Sequence, residues 1–138
     1  MIRPGPEHQT WVFDVDGCLI DSLTGSSLRP GAAEALAALR AAGHRVLLWS
    51  AGGADYASSR AVQHGIGHYF DACHGKDERG EDGRYLTRHL GTDLRATVFV
   101  DDQPGDLPST ARCVAVTPYM SDDCHDRGLD VLHINRPC

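Results

Sequence analysis

Asp14-Val15-Asp16-Gly17 sets two carboxylates two residues apart where an apolar run gives way to a turn, and Asp101-Asp102 ends a second apolar run in another acidic pair. If both runs are strands of one sheet, as many as four carboxylates meet at one edge. Two unit charges about 4 Å apart repel by about 4 kcal/mol at an effective dielectric of about 20, so such a cluster demands positive charge. The donors are hard oxygens with no histidine or thiolate among them, which favours Mg²⁺ over zinc. Lys76, in Gly75-Lys76-Asp77-Glu78-Arg79-Gly80, is a candidate second cation, with Arg79 and Arg84 as alternatives, and Ser50 ends a third apolar run with a hydroxyl.

The elements that must position these residues follow from pattern. Trp11–Val15 is apolar and β-branched with one acid near its end, the signature of a strand buried on both faces. Pro30-Gly31 opens a helix whose apolar positions carry helical spacing, and Gly43 closes it. Arg45–Ser50 is a second buried strand, followed by Ala51-Gly52-Gly53 and a helix over 54–64. Residues 69–73 are expected to form a short third strand and 84–90 a short helix. Thr97–Asp101 makes a fourth strand and residues 113–116 a fifth.

Strands alternating with helices call for right-handed crossovers. The expected class is therefore α/β, a Rossmann-like three-layer sandwich with a parallel five-stranded sheet and helices on both faces. Ligands of such sheets bind beyond the carboxyl ends of the strands, where Asp14, Ser50 and Asp101 would gather.

The 138 residues fit one domain over 1–138, with 1–10 as a short flexible lead-in. Lys and Arg total 13 against 19 Asp and Glu, a formal charge of −6, which gives no broad positive face for nucleic acid or anionic membrane. No run reaches the roughly 18 apolar residues a membrane helix needs. Five scattered cysteines without a Cys-x-x-Cys suit free thiols in a reducing, cytoplasmic setting. Cys18 reads as a structural thiol. His64 and His68 suggest zinc by spacing alone, but Gly65 and Gly67 would break the helix needed to present both rings.

The four separated motifs, in their order, resemble those of the haloacid dehalogenase-like phosphatases: Asp14-Val15-Asp16-Gly17, then Ser50, then Lys76, then Asp101-Asp102. The resemblance spans about residues 11–116. It implies an Mg²⁺-dependent phosphohydrolase in which Asp14 attacks phosphorus to form an aspartyl-phosphate. Asp16 would protonate the leaving oxygen and then activate water. The metal would be held by the Asp14 carboxylate, the backbone carbonyl of Asp16, and Asp101, with Asp102 ligating through water or orienting the metal's shell. Ser50 would bond a phosphoryl oxygen and Lys76 would offset developing charge.

The halide-removing members of the superfamily lack an acid two residues after the nucleophile, so Asp16 favours phosphoryl chemistry. Cys18 stands where relatives usually carry Thr or Val. Neither interval that holds a cap domain in larger relatives has room for one, so the site should be open and the substrate a phosphorylated small molecule or macromolecular end. The alternatives are a nucleic-acid 3′-phosphatase, which the acidic balance disfavours, and a non-catalytic binding module of the same fold. Oligomeric state and the particular substrate are not legible in the residues.

Overall fold

The apolar runs become strands because each is covered on both faces by other apolar side chains, which rewards extended backbone with full burial. The computed structural model describes residues 8–134. Its strands are β1 (Thr10–Phe13), β2 (Arg45–Ser50), β3 (Ala72–Gly75), β4 (Thr97–Asp101) and β5 (Arg112–Ala115). All neighbours pair in parallel, in the order β3-β2-β1-β4-β5. Two α-helices carry crossovers: α1 (Ala32–Ala41) joins β1 to β2, and α2 (Ala54–Gln63) joins β2 to β3.

Alternation along the strands builds two cores. Trp11, Phe13, Val46, Leu48, Val98 and Val100 face the helical layer, where they meet Leu36 and Leu39 of α1 and Ala57 and Ala61 of α2. The small alanines of α2 let that helix lie close to β2 and β3. Val12, Leu47, Trp49 and Phe99 face the other way and meet Leu90 and Leu107. Each such large apolar side chain, fully buried, contributes about 1.5–3 kcal/mol. The three layers are as expected, but the second outer layer consists of loops and single 3-10 turns at Arg88–Leu90, Leu94–Ala96 and Pro104–Asp106 instead of α-helices.

Several boundaries differ from the sequence pattern. β1 stops at Phe13 because the Val15 carbonyl accepts the N–H groups of Cys18, Leu19 and Ile20, which closes a turn. β3 begins at Ala72, whereas residues 67–69 form a 3-10 turn. The Asp71 carboxylate accepts the Val46 N–H at 2.8 Å and pairs with Arg40 at 2.6 Å, which fixes where the ladder starts. The helix expected over 84–90 is absent except for its last turn. There the chain is extended, with Tyr85 N–H on the Asp106 carbonyl, Leu86 N–H on that of Glu78 and the Arg84 guanidinium on that of Leu107.

Residues 1–7 and 135–138 lie outside the described residues, so the expected lead-in is covered only at 8–10. Thr10 there already belongs to β1, and Gln9 N–H donates to His44. Near the other end, Leu129 and Leu132 bury in the same core as Leu36 and Leu39 of α1. Between Gly17 and α1 lies only a short flap, organised by the buried Asp21, which accepts the N–H groups of Thr24, Gly25 and Ser27. The interval from Ser50 to Lys76 holds α2, one 3-10 turn and β3. Neither interval contains a cap domain. Among the described residues no helix is long and apolar enough to cross a membrane.

Candidate active site

Sheet register delivers the site. Phe13 is opposite both Leu48 and Val100, so the next residues, Asp14 and Asp101, leave adjacent strands side by side. β1 and β4 flank the point where the strand order reverses, the usual ligand position of an open α/β sheet. Ser50 ends β2 opposite Gly75, and that brings Lys76 to the same edge with its N–H on the Ser50 carbonyl at 2.8 Å. A cleft of about 260 Å³ opens there, lined by Asp14, Asp16, Ser50, Lys76 and Asp101 among others.

Carboxylate oxygens of Asp14, Asp101 and Asp102 lie within 4.8 Å of one another. Lys76 Nζ bridges two of them, 3.1 Å from Asp14 Oδ1 and 2.9 Å from Asp101 Oδ2. Of the three candidate cations, Lys76 therefore sits between the acids. Arg79 stands at the cleft mouth over the Tyr85 ring, 4.1 Å from its centroid, and 3.5 Å from Asp106. Arg84 is occupied by the Leu107 carbonyl. The ammonium of Lys76 also lies over the rings of Trp49, at 5.1 Å, and Tyr85, at 5.5 Å, a cation-π setting that keeps it charged and steered.

Burial, reinforced by the neighbouring Asp101 charge and only partly relieved by Lys76, pushes Asp14 well above the usual carboxylate range. Burial likewise raises Asp101 against the opposing pull of Lys76. Burial would lower Lys76, but Asp14 and Asp101 overturn that and lift it to about 12. One ammonium is thus too little charge for this trio, and the all-oxygen donor set fits a hard divalent cation. The two imidazoles weighed for zinc do not join such a cluster, and His64 Nε2 instead lies 2.8 Å from the Gly25 carbonyl.

Asp16 reaches the cleft from the same side as Asp14, while Val15 between them is fully buried. Its side chain stands outside the trio, and both of its carboxylate oxygens accept the Tyr56 hydroxyl at 2.9 Å. Gly17 has φ 80°, which favours glycine, and a Cβ there would lie 2.6 Å from Asp102 Oδ2, so a larger residue would push that carboxylate aside. Ser50 is buried and its Oγ accepts the Gly52 N–H at 3.0 Å. Burial, with Asp14 and Asp101 nearby, pushes the Cys18 thiol well up, and its Sγ is 3.6 Å from the Val100 carbonyl, as suits a structural thiol.

Tyr56, Tyr85, Gln103 and Asp106 were not indicated by any motif. For Tyr56, Gln103 and Asp106 the signal in the sequence is proximity to strand ends, since they follow β2 by six residues and β4 by two and five; Tyr85, ten residues past β3, has none.

The family model of the haloacid dehalogenase-like hydrolases matches residues 23–113. The chain belongs to that family and is a hydrolase of its fold. The match begins after Asp14 and Asp16, so the placement of the first motif rests on the geometry above. Similar solved structures include a haloacid dehalogenase-like hydrolase of Streptococcus pneumoniae, at TM-score 0.64 and 13% identity over 94% of this chain and 91% of that one. A protein described as a predicted phosphatase from Clostridium acetobutylicum gives 0.63 and 13% over 83% and 88%. The RNA polymerase II CTD phosphatase of fission yeast gives 0.58 and 15% over 91% and 50%. At these identities the likeness is one of fold. No curated protein matches the chain by sequence.

Proposed function

We propose that this hydrolase cleaves phosphomonoesters with Mg²⁺, through an aspartyl-phosphate on Asp14, at an open cleft. The observation that carries the reading is the Asp14–Lys76–Asp101 arrangement at the carboxyl edge of β1 and β4, with Asp101 buried, Asp14 and Lys76 half-buried and Asp102 beside them. Asp14, Asp101 and Asp102, with the backbone carbonyl of Asp16, would hold the metal. Bound Mg²⁺ supplies positive charge that orients phosphoryl oxygens and offsets their growing charge.

The chain's own groups do the rest. An Asp14 carboxylate oxygen attacks phosphorus and forms the new P–O bond as the bond to the leaving oxygen breaks, and Asp16 gives that oxygen its proton. Water then attacks phosphorus, Asp16 takes its proton, and the bond to Asp14 breaks to free phosphate. Ser50 Oγ and Lys76 Nζ line the cleft where phosphoryl oxygens would sit, and preorganised donors there stabilise the transition state without rearrangement.

Phosphate release from p-nitrophenyl phosphate, with Mg²⁺ and then with chelator, tests the reading. Activity should vanish on chelation, return with Mg²⁺, and be abolished in Asp14→Asn. Undiminished turnover by Asp14→Asn would remove the proposal. Oligonucleotide 3′-phosphates and a panel of phosphorylated metabolites in the same assay identify the substrate class.

A further inference from the structure

Asp16 is the one acid of the cleft that is anchored from a helix and not from the sheet edge. We propose that Tyr56 is a positioning residue for the phosphatase reaction, holding the Asp16 carboxylate toward the leaving oxygen without touching substrate. The inference rests on the reading of Asp16 as acid and base.

Tyr56 lies in the first turn of α2, and its hydroxyl is 2.9 Å from each Asp16 carboxylate oxygen. One donor shared by both oxygens centres on the carboxylate axis and opposes its rotation. Asp16 lines the cleft and Tyr56 does not, which places the phenol behind the acid.

Two further residues hold the phenol in place. Gly52 lies under the ring, where an added Cβ would be 2.6 Å from Tyr56 Cδ1 and 2.8 Å from Cγ. Its φ is not in the left-handed region, so what glycine supplies at this position is room for the ring. Arg60, one turn further along α2, covers the ring at 5.2 Å from its centroid and donates to the Gly25 carbonyl of the flap at 3.3 Å. Packing alone would be satisfied by phenylalanine, so the hydroxyl on Asp16 is the feature that packing does not explain.

The test uses the full chain with Mg²⁺ and two substrates of like shape. p-Nitrophenol departs readily without a proton, whereas phenol from phenyl phosphate leans on the acid. With Tyr56→Phe, kcat on phenyl phosphate should fall about tenfold further than kcat on p-nitrophenyl phosphate, a fraction of what a well-placed general acid supplies. KM for both should stay within about twofold, the mark of an interaction used in the transition state. The melting temperature should stay within about 2 °C of wild type.

Gly52→Ala should give the same leaving-group signature by displacing the ring. The double variant should be no worse than either single, because both changes remove one interaction. Equal loss on the two substrates, a change confined to KM, or unaltered kcat in Tyr56→Phe would overturn the inference while leaving an active wild type to support the phosphatase reading. A wild type inactive on both substrates would overturn the two together.

Discussion

Replacing Asp126 by alanine exposes how the first motif is braced from the far end of the chain. Arg29 is 1% exposed. Asp126 receives its Nε at 2.6 Å and its Nη2 at 3.3 Å; Nη2 also donates to Thr117 Oγ1 at 3.1 Å, and Nη1 donates to the Cys18 carbonyl at 3.2 Å. Asp126 also accepts the Gly128 N–H at 3.0 Å. Asp126→Ala therefore leaves a buried guanidinium without its counter-charge and removes two charge-assisted hydrogen bonds, each of about 1.5–3 kcal/mol. The combined loss of about 3–6 kcal/mol overlaps the roughly 3–5 kcal/mol that breaking a buried pair generally costs. Urea unfolding at pH 7 reads it as a lower midpoint at unchanged slope. Removing both charges with Arg29→Met and Asp126→Leu should recover part of the loss. A cost below about 1 kcal/mol for Asp126→Ala, within the range of exposed pairs, would refute the reasoning.

Lys76→Met should lower kcat about 10²–10³-fold with the fold intact, and a loss under tenfold would argue that another cation serves the phosphoryl group. Gly17→Ala, forced against Asp102, should raise the Mg²⁺ concentration for half-maximal activity about tenfold, read by metal titration. Stability should fall on acidification below about pH 4, where Asp14 and Asp101, raised by burial, already carry their protons in the folded chain. Burial alone would raise Asp21, Asp71 and Asp126. It is overcome in Asp21 by Thr24 and Ser27, in Asp71 by the Val46 N–H and Arg40, and in Asp126 by Arg29, so all three sit below the usual carboxylate range. The unfolded chain then binds protons that the folded one refuses. Their contribution is complete above the unfolded pKa of about 4 and is lost as pH falls below it. Urea midpoints at pH 4, 3.5 and 3 check this, and a midpoint that rises from pH 4 to 3 would contradict it.

β1, β2 and β4 are legible in the order of residues alone, because a strand buried on both faces must be apolar without interruption. So are the acids at the ends of β1 and β4, since charge following such a run has nowhere to go but the sheet edge. The sequence favoured Lys76, in a charged loop, with Arg79 and Arg84 as alternatives. The choice among the three came from the ladder that sets Gly75 opposite Ser50, a pairing between segments 25 residues apart. β3 and the stretch 84–90 were misplaced for the same reason. Asp71 and Tyr85 take their backbone state from Val46, Arg40 and Asp106, partners that no local pattern records. Tyr56 belongs to this second group, for its meeting with Asp16 depends on how α2 crosses the sheet. Hydrophobic period is a local property and is written in the chain, whereas the pairing of polar groups across the fold exists only once the sheet has brought distant segments together.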